Sequence, residues 1–312
     1  MARVLRTGVA IAVSLAVLVA GCNVSARAFN WQAPSDATVV AALAVTGRLD
    51  AAALNESSGL TPSLIRPGLF WTHNDSGSEP MVFAIDTAGQ LRHMVRVAGA
   101  ENRDWEAIGS GACPTGVCLY IADVGDNMAL RKVVTIWRVR EPVPGQDTVV
   151  VDARLDFRYE DGARDVEAMV VAPDTSLLLI TKRPRHRWLP TRSPVQVYHL
   201  PASAWRAGGT VTARRVGTLP IVPGQMSVRD WVTDAALSPV FDGRRRRLAV
   251  LTYGVVHVFE ADVETGRPGA RLGQCALGFS ERDAEAVAWL PDGRLLITNE
   301  GQGSRMHVGR CP

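Results

Sequence analysis

Short apolar stretches alternate with polar turns along most of the chain. Runs such as 177–180 and 248–251 have the length of buried β-strands rather than that of helices. Glycine, proline and aspartate separate these runs, as at 291–293, and these residues favour turns. Beyond the N-terminal apolar run, no long stretch has the periodicity of an amphipathic helix. The pattern therefore predicts an all-β fold.

One unit recurs along the chain about every fifty to sixty-five residues, a spacing that suits a four-stranded blade with generous loops. Each copy opens with an acidic residue and small and apolar residues, followed by a turn and an apolar strand. Two further strands follow in most copies. The acidic residues that open the five copies are Glu56, Glu106, Glu167, Asp234 and Glu285. Because four-stranded units repeated around an axis form a β-propeller, the repeat predicts that fold.

The last copy reaches the end of the sequence after a third strand at 306–309. A strand within 39–49 is available to complete it, so we predict a ring that this N-terminal strand closes. The number of copies predicts five blades, and six is the main alternative because a degenerate blade is easily missed. A tandem of β-sandwiches is a further alternative, but it does not explain why an acidic residue opens every copy.

The acidic residues of the repeat are expected to meet at the propeller axis, because the first strand of each blade lines the central channel. Asp104, Asp165 and Asp283 each lie two residues before a repeat acid, and such strand positions point to the same side. Clustered carboxylates need protons or cations to compensate their charges, and Ca²⁺ is the natural oxygen-preferring cation outside the cell. The predicted metal ligands are Glu56, Asp104, Glu106, Asp165, Glu167, Asp234, Asp283 and Glu285.

Polar residues at the ends of the second strands are predicted to reach the same mouth of the channel. They combine carboxylates with two cations, a mixture that suits a metal beside a phosphate or another anion. In this interpretation Lys182 and Arg183 hold the anion. The predicted ligand-binding residues are Asp75, Asp123, Asp126, Lys182, Arg183 and Glu300.

An alternative interpretation of the acidic residues needs no metal. Arg103, Arg164 and Arg282 each precede one of the paired acids, so arginine–carboxylate bridges could neutralise the ring. Carboxylates could also cap backbone N–H groups of the neighbouring blade. A structural acidic ring, metal binding and acid–base catalysis all remain open at this point.

The N-terminus predicts export. Arg3 and Arg6 precede an apolar run at 9–20 that is short for a membrane span and has the features of a signal peptide. The run ends at Cys22 in a sequence, LVAGC, that resembles the lipobox of bacterial lipoproteins. That resemblance implies cleavage before Cys22 and acylation of its sulfur, which would anchor the protein in the cell envelope. We therefore divide the chain into a signal peptide at 1–21, a lipidated tether at 22–37 and one propeller domain at 38–312.

Composition narrows the range of partners. The net charge of +3 is small and the basic residues are interleaved with acids, which argues against nucleic-acid binding.

Apart from Cys22, the cysteines can form two disulfides, as an oxidising compartment allows. Cys113 and Cys118 flank a tight turn, and Cys275 and Cys311 are predicted to tie the C-terminal strand to the preceding unit.

Several segments resemble a group of exported bacterial propeller proteins that are described as phytase-like or esterase-like. They are 71–77 (WTHNDSG), 104–108 (DWEAI), 121–127 (IADVGDN) and 165–168 (DVEA). The resemblance covers most of the chain and implies a relation to calcium-dependent phytases, in which water activated by Ca²⁺ cleaves phosphate esters. The residues that it assigns to metal and phosphate are Asp165, Glu167, Asp283, Glu285, Lys182 and Arg183. The fourth copy departs from the pattern, since Val232 stands where a second acid is expected.

The sequence thus favours a lipid-anchored extracytoplasmic propeller that binds a divalent cation, a small phosphorylated or anionic ligand, or both. A calcium-dependent phosphoesterase or esterase is the first alternative, and a non-catalytic scaffold that binds an envelope protein is the second. Serine-hydrolase and nucleotide-binding functions are disfavoured, because neither a G-x-S-x-G nor a P-loop motif occurs.

Overall fold

The structure is a computed structural model that describes residues 39–183, 193–223, 228–240, 245–278 and 284–311. The strands within these ranges belong to one compact unit, Asp36–Pro312. Two short 3₁₀ turns, Ala202–Arg206 and Val228–Asp230, accompany the strands. Among the described residues, no helix is long and apolar enough to cross a membrane. The predicted signal peptide, the tether and Cys22 lie outside the described ranges.

The described strands include a short edge strand, β1 (Val39–Val40), and five antiparallel units of four, which we call blades 1 to 5. Blade 1 contains β3 (Ser57–Pro62), β4 (Leu69–Asn74), β5 (Met81–Asp86) and β6 (Leu91–Ala98). Blade 2 contains β7 (Trp105–Cys113), β8 (Gly116–Asp123), β9 (Val134–Arg140) and β10 (Thr148–Tyr159). Blade 3 contains β11 (Val166–Val171), β12 (Leu177–Thr181), β13 (Val195–Leu200) and β14 (Val211–Leu219). Blade 4 contains β15 (Val232–Leu237), β16 (Arg246–Thr252), β17 (Val255–Ala261) and β18 (Pro268–Ala276). Blade 5 contains β19 (Ala284–Trp289), β20 (Leu295–Asn299), β21 (Arg305–Gly309) and β2 (Ala44–Arg48).

The first strands of the blades contact one another in a closed cycle. β3 contacts β7, β7 contacts β11, and the series continues through β15 and β19 back to β3. Each blade therefore presents its first strand to a common axis. The predicted all-β propeller is confirmed, and the cycle is incompatible with a tandem of β-sandwiches.

Apolar side chains on both faces of the inner strands hold the blades together. In β12, Leu177 and Leu179 pack in a cluster shared with blade 2, whereas Leu178 and Ile180 pack in a cluster shared with blade 4. A strand covered on both faces has no reason to alternate apolar and polar residues, which explains the continuous apolar runs of the sequence. Full burial of each such side chain contributes about 1.5–3 kcal/mol.

The N-terminal strand closes the ring as predicted. β2 pairs antiparallel with β21, with Ala44 opposite Val308, so blade 5 combines both ends of the described chain.

Both predicted disulfides are present. Cys113–Cys118 bridges the β7–β8 hairpin, and Cys275–Cys311 joins β18 of blade 4 to the segment that follows β21 of blade 5.

Removing the Cys275–Cys311 bond is expected to destabilise the protein more than removing Cys113–Cys118. The two bonds join cysteines separated by 36 and 5 residues in the sequence. The chain entropy that they remove from the unfolded state corresponds to about 4 and about 2 kcal/mol, respectively. Urea denaturation of the two double Cys→Ala variants measures the difference, and an equal or larger loss for the hairpin pair would contradict the role of Cys275–Cys311 in closing the ring.

Candidate functional site

A cavity of about 140 Å³ lies where the first strands of the blades begin. We call it the acidic cavity, because six carboxylates line it with one lysine and two hydroxyl groups. The lining residues are Glu56, Ser58, Asp75, Glu106, Glu167, Lys182, Tyr253, Glu285 and Glu300. A cavity of about 330 Å³ between the far ends of the first strands has a mainly apolar lining, which includes Ile108 and Met169. The acidic side chains are therefore concentrated at one mouth of the channel.

β-Bulges place three of the acids in the cavity. The pairing of the first with the second strand skips one residue near the start of β7, β11 and β19, and the skipped residues are Glu106, Glu167 and Glu285. A bulge leaves its extra residue outside the ladder and changes the direction of its side chain. Three of the repeat acids are thus bulge residues in the same structural position.

The ends of the second strands supply the rest of the lining. Asp75, Lys182, Tyr253 and Glu300 directly follow β4, β12, β16 and β20. Because each second strand runs antiparallel to its first strand, it ends where the first strand begins. The two sets of polar residues consequently meet at one mouth, as the sequence analysis predicts.

The remaining two repeat acids occupy different positions. The residues skipped in blades 1 and 4 are Gly59 and Thr233 rather than acids. Glu56 lies three residues before its bulge and Asp234 one residue after. The five repeat acids are therefore not structurally equivalent as predicted, because the bulge position is acidic in three blades and is occupied by Gly59 and Thr233 in the other two.

Asp234 is a structural residue rather than part of the acidic cavity. Its carboxyl group accepts backbone N–H bonds from Ala235 at 2.8 Å, Val287 at 2.9 Å and Leu60 at 3.3 Å, and the residue is fully buried. Burial raises the pKa of Asp234 well above its ordinary value, although these hydrogen bonds oppose the shift. The carboxyl group links blades 4, 5 and 1, and the structure places Asp234 outside the lining of the acidic cavity, apart from the other predicted ligands.

Three carboxylates form the candidate cation site, which we call the carboxylate triad: Asp75, Asp104 and Glu106. One oxygen of each lies within 4.8 Å of the others. Among the described residues, no lysine or arginine forms an ion pair with any of the three. Gly125 permits their approach, since a Cβ atom at that position would overlap the carboxyl groups of both Asp104 and Glu106.

Burial and mutual repulsion disfavour the charged forms of the triad. Burial, with the charge of Asp75 next in importance, raises the pKa of Asp104 to about 6. Burial and the neighbouring Glu167 raise the pKa of Glu106 well above its ordinary value. The pKa of Asp75 is raised as well, mainly by burial. Without a cation, Glu106 is therefore expected to retain its proton near neutral pH, whereas Asp104 releases its proton at about pH 6.

Glu167 and Lys182 form a buried ion pair beside the triad. Lys182 Nζ lies 2.7 Å from Glu167 Oε1, and the two residues are 8% and 2% exposed. Burial raises the pKa of Glu167 to about 7 despite the opposing effect of Lys182. The Glu106 carboxyl group lines the same cavity, and the charge of Glu167 makes the largest electrostatic contribution to its raised pKa.

Other predicted ligands are used in ion pairs behind the cavity. Arg183 Nη1 lies 2.9 Å from Asp165 Oδ2, and Arg131 Nη2 lies 2.8 Å from Asp123 Oδ1. Asp126 Oδ2 accepts the backbone N–H of Arg131 at 2.6 Å. Asp123, Asp126, Asp165 and Arg183 therefore do not line the acidic cavity.

The arginines that the alternative interpretation requires do not neutralise the ring as expected. Arg164 pairs with Asp161 at 2.6 Å and donates to Tyr198 at 2.8 Å, so it turns away from Asp165 and Glu167. Within the described residues Arg103 forms no ion pair, and Arg282 and Asp283 lie outside the described ranges. Lys182, Arg183 and Arg131 supply the compensating charge that is observed.

The triad is also accessible from the protein surface. Asp104 lines an open depression of about 590 Å³ together with Arg103, Asp126 and Lys132. An ion held by the triad could therefore keep coordination positions open on this side.

Sequence reasoning did not include Ser58 or Gly125 in the site. Ser58 follows a repeat acid closely, and Gly125 lies between two acids in the IADVGDN segment. Neither residue is acidic, so the pattern of acidic residues did not select them. Their contribution is spatial, and only the three-dimensional arrangement shows it. Tyr253 follows a second strand as Asp75 and Glu300 do, and the same rule places it at this mouth.

Comparisons with known proteins bear on the fold. No family model matches the sequence, and no curated protein matches it. Among solved structures, a GH43_1 enzyme from Xanthomonas citri, complexed with xylose, is 10% identical and has a TM-score of 0.51, covering 86% of this chain and 90% of that one. The soluble aldose sugar dehydrogenase from Escherichia coli is 11% identical with a TM-score of 0.46, covering 87% and 100%. The Dos1 propeller is 8% identical with a TM-score of 0.38, covering 83% and 59%. At these identities the first likeness shows the fold alone, and the phytase-like resemblance stays a prediction.

The stability of the cation-free protein is expected to fall as pH rises from about 6.5 to 8. Glu167 has a pKa of about 7, and those of Glu106 and Glu285 lie well above ordinary values, chiefly because of burial. In this window the folded state retains protons that the unfolded state has released, so the free energy of unfolding decreases with pH. His73 and His257, whose pKa values burial lowers to about 4, contribute little here, since histidine in the unfolded chain is mostly neutral above about pH 6.5.

Urea denaturation in the presence of a chelator measures this dependence. Glu106→Gln should make the dependence of stability on pH less steep, because the variant removes one of the carboxyl groups whose pKa is raised. A stability that stays constant or rises between these pH values would contradict the charge balance described for the cavity.

Proposed function

We propose that this protein is an extracytoplasmic, lipid-anchored β-propeller that binds a divalent cation, Ca²⁺ in the first place, at the carboxylate triad. The observation that carries the proposal is the convergence of three carboxylates without a basic partner among the described residues. Glu285 adds to it. This residue lines the same cavity, is only 8% exposed, and makes no hydrogen bond or ion pair within the described part of the chain.

The chemistry of the triad favours a hard divalent ion. All of its donor atoms are carboxylate oxygens, which Ca²⁺ prefers, and no cysteine or histidine lies among them. A buried carboxylate that remains ionised costs several kcal/mol unless a cation compensates it. A divalent ion would compensate two charges at once and would displace the proton that Glu106 otherwise retains.

The predicted anion clamp receives less support than the cation. Lys182 and Arg183 are buried and already paired with Glu167 and Asp165, so an anion would have to displace those carboxylates. Arg103 and Lys132, which line the surface depression beside Asp104, form no ion pair within the described residues. A phosphorylated or other anionic ligand would bind more readily there, next to the cation.

A calcium-dependent phosphoesterase is the second candidate, and this depression is the observation that favours it. An ion bound to the triad could polarise a phosphate oxygen and supply activated water, while the basic side chains bind the remaining charge. This activity depends on the cation, so a screen of phosphate esters is worthwhile only after binding is established.

Cation binding can be measured by calorimetric titration with Ca²⁺ after chelator treatment. The chain from Asn23 to Pro312 is suitable, because it contains the whole compact unit and lacks only the predicted signal peptide and Cys22. We expect binding with a raised melting temperature. The Asp104→Asn/Glu106→Gln variant should bind at least about a hundredfold more weakly, which corresponds to about 2.7 kcal/mol.

Asp292→Asn is the matched control. Asp292 lies in the exposed turn between β19 and β20, at the other end of its blade, and within the described ranges its ion-pair partner is Arg294. The affinity of the Asp292→Asn variant for Ca²⁺ should equal that of the unchanged protein. Absence of heat and of a shift in melting temperature in the unchanged protein would refute the proposed function.

The lipid anchor requires a separate experiment. Two disulfides suit an oxidising compartment, which supports export. Expressed in a bacterium with a radiolabelled fatty acid, the full chain should incorporate label and fractionate with membranes. The Cys22→Ser variant should lose both properties, and label retained by that variant would exclude Cys22 as the acylated residue.

A further inference from the structure

The acidic cavity contains a cation of its own, the ammonium group of Lys182. Its position is fixed by Glu167 Oε1 at 2.7 Å and by the ring of Trp231, whose centroid lies 5.8 Å from Nζ. The lysine is 8% exposed, so it is part of the cavity wall rather than a mobile surface residue. Nearby carboxylates, Glu167 foremost, raise the pKa of Lys182 although burial opposes them, and the ammonium group therefore stays charged.

Two carboxylates that share the cavity with Lys182, those of Glu167 and Glu285, do not belong to the triad. Both line the same cavity as Lys182 and as Glu106 of the triad. Glu285 is buried in the cavity wall and has no partner of its own within the described residues. Carboxylate oxygens outside the triad therefore line the cavity, and among the described residues Lys182 carries the one ammonium group in its lining.

We propose that Lys182 is a built-in counter-ion that occupies a second cation position and limits the acidic cavity to one divalent ion. The inference rests on the proposed function, because it presupposes a first ion at the triad. A free ion near Glu167 would face repulsion from the fixed ammonium charge and would have to break the Lys182–Glu167 pair. Without that charge, Glu167 and Glu285, together with the second oxygen of Glu106, would offer carboxylate oxygens to a second ion.

The number of bound ions tests this inference. Calorimetric titration with Ca²⁺ at neutral pH should give one ion per protein for the unchanged chain. Lys182→Met, which keeps the length of the side chain but removes its charge, should bind two. Its melting temperature should be lower than that of the unchanged protein in chelator, since Glu167 is left unpaired, and excess Ca²⁺ should restore it.

Two further variants make the result decisive. Lys182→Gln retains an N–H donor for Glu167 and should also bind two ions, so it replaces Lys182→Met if that variant fails to fold. Lys132→Met removes an exposed lysine at the rim of the surface depression and should still bind one.

Each outcome has a distinct meaning. One ion in the unchanged protein and one in a folded Lys182 variant would overturn the inference and leave the proposed function intact. Two ions in the unchanged protein would also overturn it, because Lys182 would then exclude nothing. No binding by the unchanged protein would refute the proposed function itself.

Discussion

Five strands that converge on one axis impose the constraint on which the rest of the structure depends. A side chain near the start of any first strand is brought close to its counterparts in the other blades, and in three blades that side chain is a bulged glutamate. Water has little access to such a position, so carboxylates there repel one another across a medium that screens poorly. Each charged group around the mouth can be understood as a response to this repulsion.

The compensation of the carboxylate charges differs between the two sides of the mouth. On the side of blade 3, Lys182 and Arg183 follow β12 and neutralise Glu167 and Asp165 directly. On the side of blades 1 and 2, Asp75, Asp104 and Glu106 converge and no basic residue among those described forms an ion pair with them. The pKa values of these three carboxyl groups are raised, because the nearby basic residues do not outweigh burial and mutual repulsion. A protein that needed only a stable ring could pair the triad as it pairs Glu167, and this asymmetry is the physical basis for assigning the triad to an external cation.

Patterns of local sequence predicted the fold because few alternatives satisfy them. The continuous run at 177–180 requires cover on both faces, and the strand missing from blade 5 left one free partner, now seen as β2. The tight turn between Cys113 and Cys118 predicted the first disulfide and left Cys275 and Cys311 to form the second. The convergence of Asp75, Lys182 and Glu300 with the first-strand acids was likewise predictable, since antiparallel strands return to the same end.

The details of the site were not predictable, because they depend on single-residue shifts and on the choice of partner. A bulge places Gly59 and Thr233 where the repeat suggested Glu56 and Asp234. Arg164 is adjacent in sequence to Asp165 but pairs with Asp161, and Asp165 is instead neutralised by Arg183. Sequence spacing limits which groups can meet, whereas packing around the axis decides which of them do.

The central claim, an ion held by the carboxylate triad, is tested most directly by crystallography with anomalous scattering. Crystals grown with Mn²⁺, which prefers the same oxygen ligands as Ca²⁺, would locate the ion without reference to any activity. The account predicts one anomalous peak, bonded to carboxylate oxygens of Asp75, Asp104 and Glu106, with Lys182 still on Glu167. A map without a peak at the triad, or with a basic side chain lying between these carboxylates, would contradict it.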